Sequence, residues 1–176
     1  MKKRSPDAGE TPVMGLLAGA ALAMGARALL ARLVKLKFER DIERLNAGEH
    51  EPLLSGYAED AVLHFNDGAH RWAGEHRGRA AIERFLCNYT AAGLQGELGD
   101  VWVSGPPWAL RMVASFHDWA DGSDGERLYE NRVSIVIHTR WGRVVEQWDY
   151  YEDTGRIIEL DRRLGELGMA PVSART

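Results

Sequence analysis

An α+β fold, with N-terminal helices packed on a curved antiparallel sheet, is what this sequence predicts. Three observations carry the prediction. Apolar residues in the first half recur at steps of three and four. From Val101 onward they alternate with polar residues in runs separated by turn signals. The helical half also precedes the strand half instead of interleaving with it.

The elements follow in order. Leu30, Leu33, Val34, Phe38, Ile42 and Leu45 make one apolar stripe among charged positions, which predicts a helix over residues 27–45. Asn46-Ala47-Gly48 ends it with a glycine stop. Residues 51–57 read as a short helix with Pro52 in its first turn. Residues 61–65 read as a strand bounded by Asn66-Asp67-Gly68, and a loop through Trp72 and Gly74 leads to a third helix over 79–89. That helix carries Cys87 on an apolar face, where a small buried hydrophobe is expected. Strands are expected at 101–103, 108–116, 128–139 and 143–151, the last two joined by a two-residue Trp141-Gly142 turn. Asp153-Thr154 caps a final helix over about 157–167, stopped by Gly168.

The 176 residues divide into an N-terminal segment (1–32), one domain (33–168) and a short tail (169–176). The N-terminal segment opens with a polar, basic leader and then runs uncharged from Val13 to Ala26. Three readings of it are open. It is a membrane anchor or interfacial helix making contact through residues 13–36, a signal peptide with Ala21-Leu22-Ala23 at the cleavage site, or an apolar helix packing on a partner. The domain itself is expected in the cytoplasm, with membrane association through this segment as the alternative.

Composition removes several function classes. A net charge of −4 gives no basic field, so nucleic acid is not an expected partner. One cysteine forbids an intrachain disulfide. No phosphate-binding, dinucleotide-binding, nucleophile-elbow or zinc-protease motif occurs. The six histidines form no pair with chelating spacing, so neither a metal nor a cofactor is expected.

Several local motifs resemble one superfamily. They are Leu45-Asn46-Ala47-Gly48-Glu49, the passage from Tyr57 to Phe65, the loop from Ala73 to Ile82, and the run from Gly142 to Thr154. In this order they are similar to the nuclear transport factor 2-like superfamily, and within it to SnoaL-like domains, over residues 33–168. The resemblance implies a cone-shaped domain with a pocket between sheet and helices, and a homodimer formed through the sheet. It implies no single activity, because the fold hosts cyclases, isomerases, dehydratases, epoxide hydrolases and non-catalytic binders.

Alternation assigns candidate residues. In the strand over 128–139 the odd positions are the more apolar, which turns Tyr129 and Asn131 toward the core. In the preceding strand the apolar set is Leu110, Met112, Ala114 and Phe116, and Asp118 continues its phase. The last strand has no cleanly apolar face. Similar cyclases carry a Trp-Asp here, so Trp148 and Asp149 become candidates, with Asp149 as general acid/base on a hydrophobic, carbonyl-bearing substrate. His64 is the candidate partner acid or base. Trp102 joins Trp148, Tyr129, Asn131 and Asp118 as expected substrate contacts. An aspartate at the isomerase position is missing, since Leu63, His64, Phe65 and Asn66 stand there. A non-catalytic binding or dimerisation module is the alternative to an enzyme.

Overall fold

The structure is a computed structural model that describes residues 12–172, with side chains from Gly25 onward. The basic leader therefore lies outside the described residues, as do the side chains of the uncharged segment up to Met24, the cleavage-site candidate included.

The chain forms α1 (Pro12–Asn46), α2 (Glu51–Leu54), β1 (Tyr57–His64), β2 (Glu75–Arg77), α3 (Arg79–Ala91), β3 (Leu94–Ser104), β4 (Arg111–Asp121), β5 (Arg127–Arg140), β6 (Arg143–Tyr151) and α4 (Thr154–Glu166). The boundary expected after residue 32 falls within α1, whose backbone is one continuous helix. No helix among the described residues is long and apolar enough to cross a membrane.

The six strands make one curved, open sheet in the order β2-β1-β6-β5-β4-β3. The sheet is mixed, which corrects the antiparallel expectation. β6 returns beside β1 in the same direction, and every other neighbouring pair is antiparallel. A parallel pair is accessible here because α3 and four strands separate the two in sequence. Three further elements depart from expectation. β1 starts four residues early, at Tyr57. β2, read as loop, is a three-residue strand paired to β1. β3, expected only over 101–103, runs from Leu94 and is interrupted by an irregularity between Leu98 and Val101.

One face of the sheet carries the core. Ile42 and Leu45 of α1, Ile82, Phe85 and Leu86 of α3, and Ile157, Leu160 and Leu164 of α4 pack against Leu63, Met112, Phe116, Val133 and Ile137. Burying each such side chain contributes roughly 1.5–3 kcal/mol. Asn46 locks the end of α1 to this sheet. Its amide donates to Gly96 O and its carbonyl accepts from Gly96 N, both at 2.8 Å. Gly96 has no substitute there, since a Cβ would meet the Phe116 ring at 2.0 Å. The β5–β6 turn also follows its sequence signature. Trp141 and Gly142 both have positive φ, 51° and 78°, as a two-residue hairpin turn with the right twist requires.

Candidate acid/base site

The interior face of β4, β5 and β6 carries polar groups where a core would ordinarily be apolar. Asp118, Asn131, Gln147 and Asp149 are all buried, Asp118 completely. They share the face because strand side chains alternate: Asp118 stands opposite Asn131, and Asp149 opposite Ile135.

Two hydrogen-bonded groups result. In the first, the Tyr57 hydroxyl donates to Gln147 Oε1 at 2.6 Å, and Gln147 Nε2 donates to Asp149 Oδ1 at 2.8 Å. In the second, Asp118 accepts from the Tyr151 hydroxyl at 2.8 Å and from the Tyr129 hydroxyl at 3.2 Å. Burial pushes the Asp149 carboxyl up to about 7, against the smaller opposing effect of the Gln147 hydrogen bond. Burial also raises Asp118 to about 7; its two tyrosine hydrogen bonds oppose the shift and the Asp149 charge adds to it. Two carboxyls raised toward pH 7, one of them pushed further by the other's charge, therefore share one water-poor interior.

Tyr89 of α3 completes the site. Its hydroxyl is buried and has no hydrogen-bond partner. Burial and then the charges of Asp118, Tyr129 and Asp149 raise its pKa well above the ordinary value, so it remains a protonated donor. A buried, unspent hydroxyl within electrostatic reach of both carboxyls is a ready hydrogen-bond donor for a guest molecule.

The structure brings Asp149, Asp118 and Tyr129 together and separates the other candidates from them. Asn131 shares the inner face, but its amide is committed: Nδ2 donates to Asp153 O at 2.7 Å, and Oδ1 accepts from Arg132 N and Asp153 N. It fastens the β6–α4 corner. There Asp153 caps α4 by accepting from Gly155 N, as the sequence indicated. His64, Trp148 and Trp102 lie on the opposite face. His64 stacks on Trp148 with ring centroids 5.1 Å apart and approaches Glu146 and Glu75 at 3.2 and 3.4 Å. Trp102 is 58% exposed. The pairing of His64 with Asp149 is thus corrected, because consecutive strand residues cannot line one pocket. The indoles of Trp148 and Trp102 are removed from the inner site for the same reason.

Tyr57, Tyr89, Gln147 and Tyr151 enter the site without having been singled out in the sequence. Gln147 and Tyr151 were legible in principle, being in phase with Asp149. Tyr89 reads from sequence as one more apolar contact on its helix. Cys87 is half-buried, with Sγ 3.7 Å from His50 Nε2. Among the described residues His50, Glu51 and Glu83 bring ligand-type atoms within 4.8 Å of one another at the α2–α3 junction. Glu51 there is 73% exposed, so this trio is a solvated surface group separate from the buried carboxyls.

The family model of the SnoaL-like domain matches residues 38–147. No curated protein matches the chain. Several solved structures share the fold. The chain is similar to Bal32a from a soil-derived mobile gene cassette, at 24% identity over 75% of this chain and 98% of that one, with TM-score 0.62. It is similar to an NTF2-like protein of unknown function from Burkholderia pseudomallei K96243, at 17% identity over 72% and 95%, with TM-score 0.57. It is also similar to a putative polyketide cyclase from Xanthomonas campestris pv. campestris, at 19% identity over 74% and 98%, with TM-score 0.52.

Proposed function

The chain belongs to the SnoaL-like domain family, and on that premise we propose that it is a cofactor-independent acid/base enzyme of the isomerase, cyclase or lyase type. Its substrate is a small hydrophobic molecule bearing a carbonyl. The observation that carries this reading is the buried pair Asp149 and Asp118, both raised to about 7, beside the unpartnered Tyr89 hydroxyl.

The chemistry follows from those groups. Asp149 as carboxylate takes a proton from the carbon next to the substrate carbonyl; the C–H electron pair forms the new C=C bond and the C=O π pair moves onto the oxygen. Tyr89 donates a hydrogen bond to that developing enolate, which a dry site makes worth more than in water. Asp149 then returns its proton, to another carbon in an isomerisation or to a departing hydroxyl in a dehydration. A carboxyl near the working pH suits both directions of transfer. Gln147 holds Asp149, and Tyr129 and Tyr151 hold Asp118, so each acid is oriented before substrate arrives.

A homodimer through the outer face of the sheet belongs to the same reading. His64, Trp148, Val136, Val113 and Trp102 stand in one row across five strands. With Trp102 58% and Val113 42% exposed, that row is an apolar strip suited to a second copy. Contact with a membrane surface through residues 13–36 is a further expectation, supported by the exposure of Leu29, Leu33 and Leu36.

A second reading, a non-catalytic carrier of a small ligand, is favoured by the lining of the cavity that reaches Gln147, which includes neither Asp149 nor Asp118. The cavity lined by Gln147 measures about 50 Å³. Hydrogen–deuterium exchange separates the two readings. The protein is incubated in deuterium oxide with cyclohexanone, acetophenone and 2-butanone, and exchange beside the carbonyl is followed by proton NMR. Exchange of at least one ketone above the buffer rate, lost in Asp149→Asn, is expected. Binding without exchange would leave the carrier reading in its place.

A further inference from the structure

A groove of about 320 Å³ lies where α1 passes the β5–β6 hairpin and the segment before β4. It shares Phe38, Leu53, Tyr57 and Met112 with the cavity of about 50 Å³ that reaches Gln147, so the two hollows are neighbours with a common wall. The wall of the groove is partly an addition to the family domain. Leu30, Leu33, Val34 and Lys37 line it, and all four precede residue 38, where the family match begins.

Building on the acid/base reading above, we propose that this groove binds the aliphatic tail of a neutral carbonyl compound whose carbonyl end reaches Tyr57 and Gln147. Size, wall chemistry and charge each point to that occupant. The inner cavity alone is too small for an organic molecule, whereas the groove itself lies in the range of ligand sites, roughly 300–1,000 Å³. The groove wall is mainly leucine, valine, methionine and proline, with Phe38 and Tyr57 the two aromatic members, so it suits a flexible chain better than a stacked polycycle. The one cation on the wall, Lys37, is already paired with the buried Asp41 and offers no free charge to an ionic head. The wall at the inner end holds Tyr57 and Gln147 and no cation, and a buried unpaired charge is costly, so the carbonyl end is neutral. The extension of α1 thereby sets the chain length that the domain accepts.

The test is calorimetric titration of the full-length protein with a series of 2-alkanones from 2-butanone to 2-undecanone. Affinity is expected to rise about threefold to fourfold per added methylene and then level off once the groove is filled. Leu33→Asp, a change at a half-exposed wall position, flattens the series. Leu29→Asp, on the same helix but outside the groove, keeps the slope. A flat wild-type series, or an unchanged slope in Leu33→Asp, overturns the assignment. So does a flat series in which Leu33→Asp alters sedimentation, because a second copy then covers the groove. The two claims fail separately. Ketone exchange lost in Asp149→Asn with no chain-length dependence removes the groove and leaves the acid/base reading. Chain-length dependence with exchange indifferent to Asp149→Asn does the reverse.

Discussion

Gln147 donates its side-chain amide to Asp149 across 2.8 Å while its own carbonyl receives the Tyr57 hydroxyl. This amide is the one group that lowers the Asp149 pKa, and it also satisfies a fully buried tyrosine. Gln147→Leu should therefore move the pH midpoint of ketone exchange upward. It should also lower stability by about 1–3 kcal/mol, since the Tyr57 hydroxyl loses its acceptor. Denaturant unfolding and a pH–rate profile on the same variant measure the two effects together.

The buried carboxyls make stability depend on pH with a definite sign. Both have folded-state pKa values raised to about 7 from 3.8. The folded protein therefore binds more protons than the unfolded chain between about pH 4 and 7, and stability falls as pH rises through that window. At 1.36 kcal/mol per unit, the full effect per group is of order 4 kcal/mol. Asp149→Asn should weaken this dependence and be more stable than wild type at pH 8, as chemical unfolding at pH 5 and pH 8 would register.

Tyr89→Phe separates a catalytic role from a packing role. The hydroxyl is buried without a protein partner, so its loss should not lower stability and should raise it, by up to about 1–3 kcal/mol. As the donor to a developing enolate it should matter about 100-fold in exchange rate. A large loss of stability with an unaltered rate would assign Tyr89 to the core.

His64→Ala should leave ketone exchange unchanged, because the imidazole sits on the outer face against Trp148. The same face predicts the effect of a double variant, Trp102→Glu with Val113→Glu. These two residues are direct cross-strand neighbours, and charging both should convert a dimer to a monomer in sedimentation while exchange persists.

Much of the fold was legible because its signals are periodic. The helix stripes, the Trp141-Gly142 turn and the inward phase of β4 and β5 all came from spacing alone. The direction of β1 did not, since nothing local distinguishes a parallel neighbour from an antiparallel one. The face of β6 was unreadable for a specific reason. Thr139 pairs with Val144 and His138 with Glu146, so β6 holds one residue more than its partner at that point. Val144 faces inward before the bulge, and Gln147 and Asp149 face inward after it. A single parity therefore does not describe the strand. The choice of His64 failed on the same kind of question, since one residue of phase separates the pocket from the outer surface. Tyr89 was missed because a buried hydroxyl without a partner leaves no trace in sequence.

The pH dependence of ketone exchange tests the role of Asp149 most directly. In wild type the exchange rate should rise with pH through a midpoint near 7 and then level off as the Asp149 carboxylate forms. In Asp149→Asn the enzyme-dependent exchange should vanish at every pH. A wild-type rate independent of pH between 5 and 9, or an Asp149→Asn rate equal to wild type, would contradict Asp149 as the acid/base.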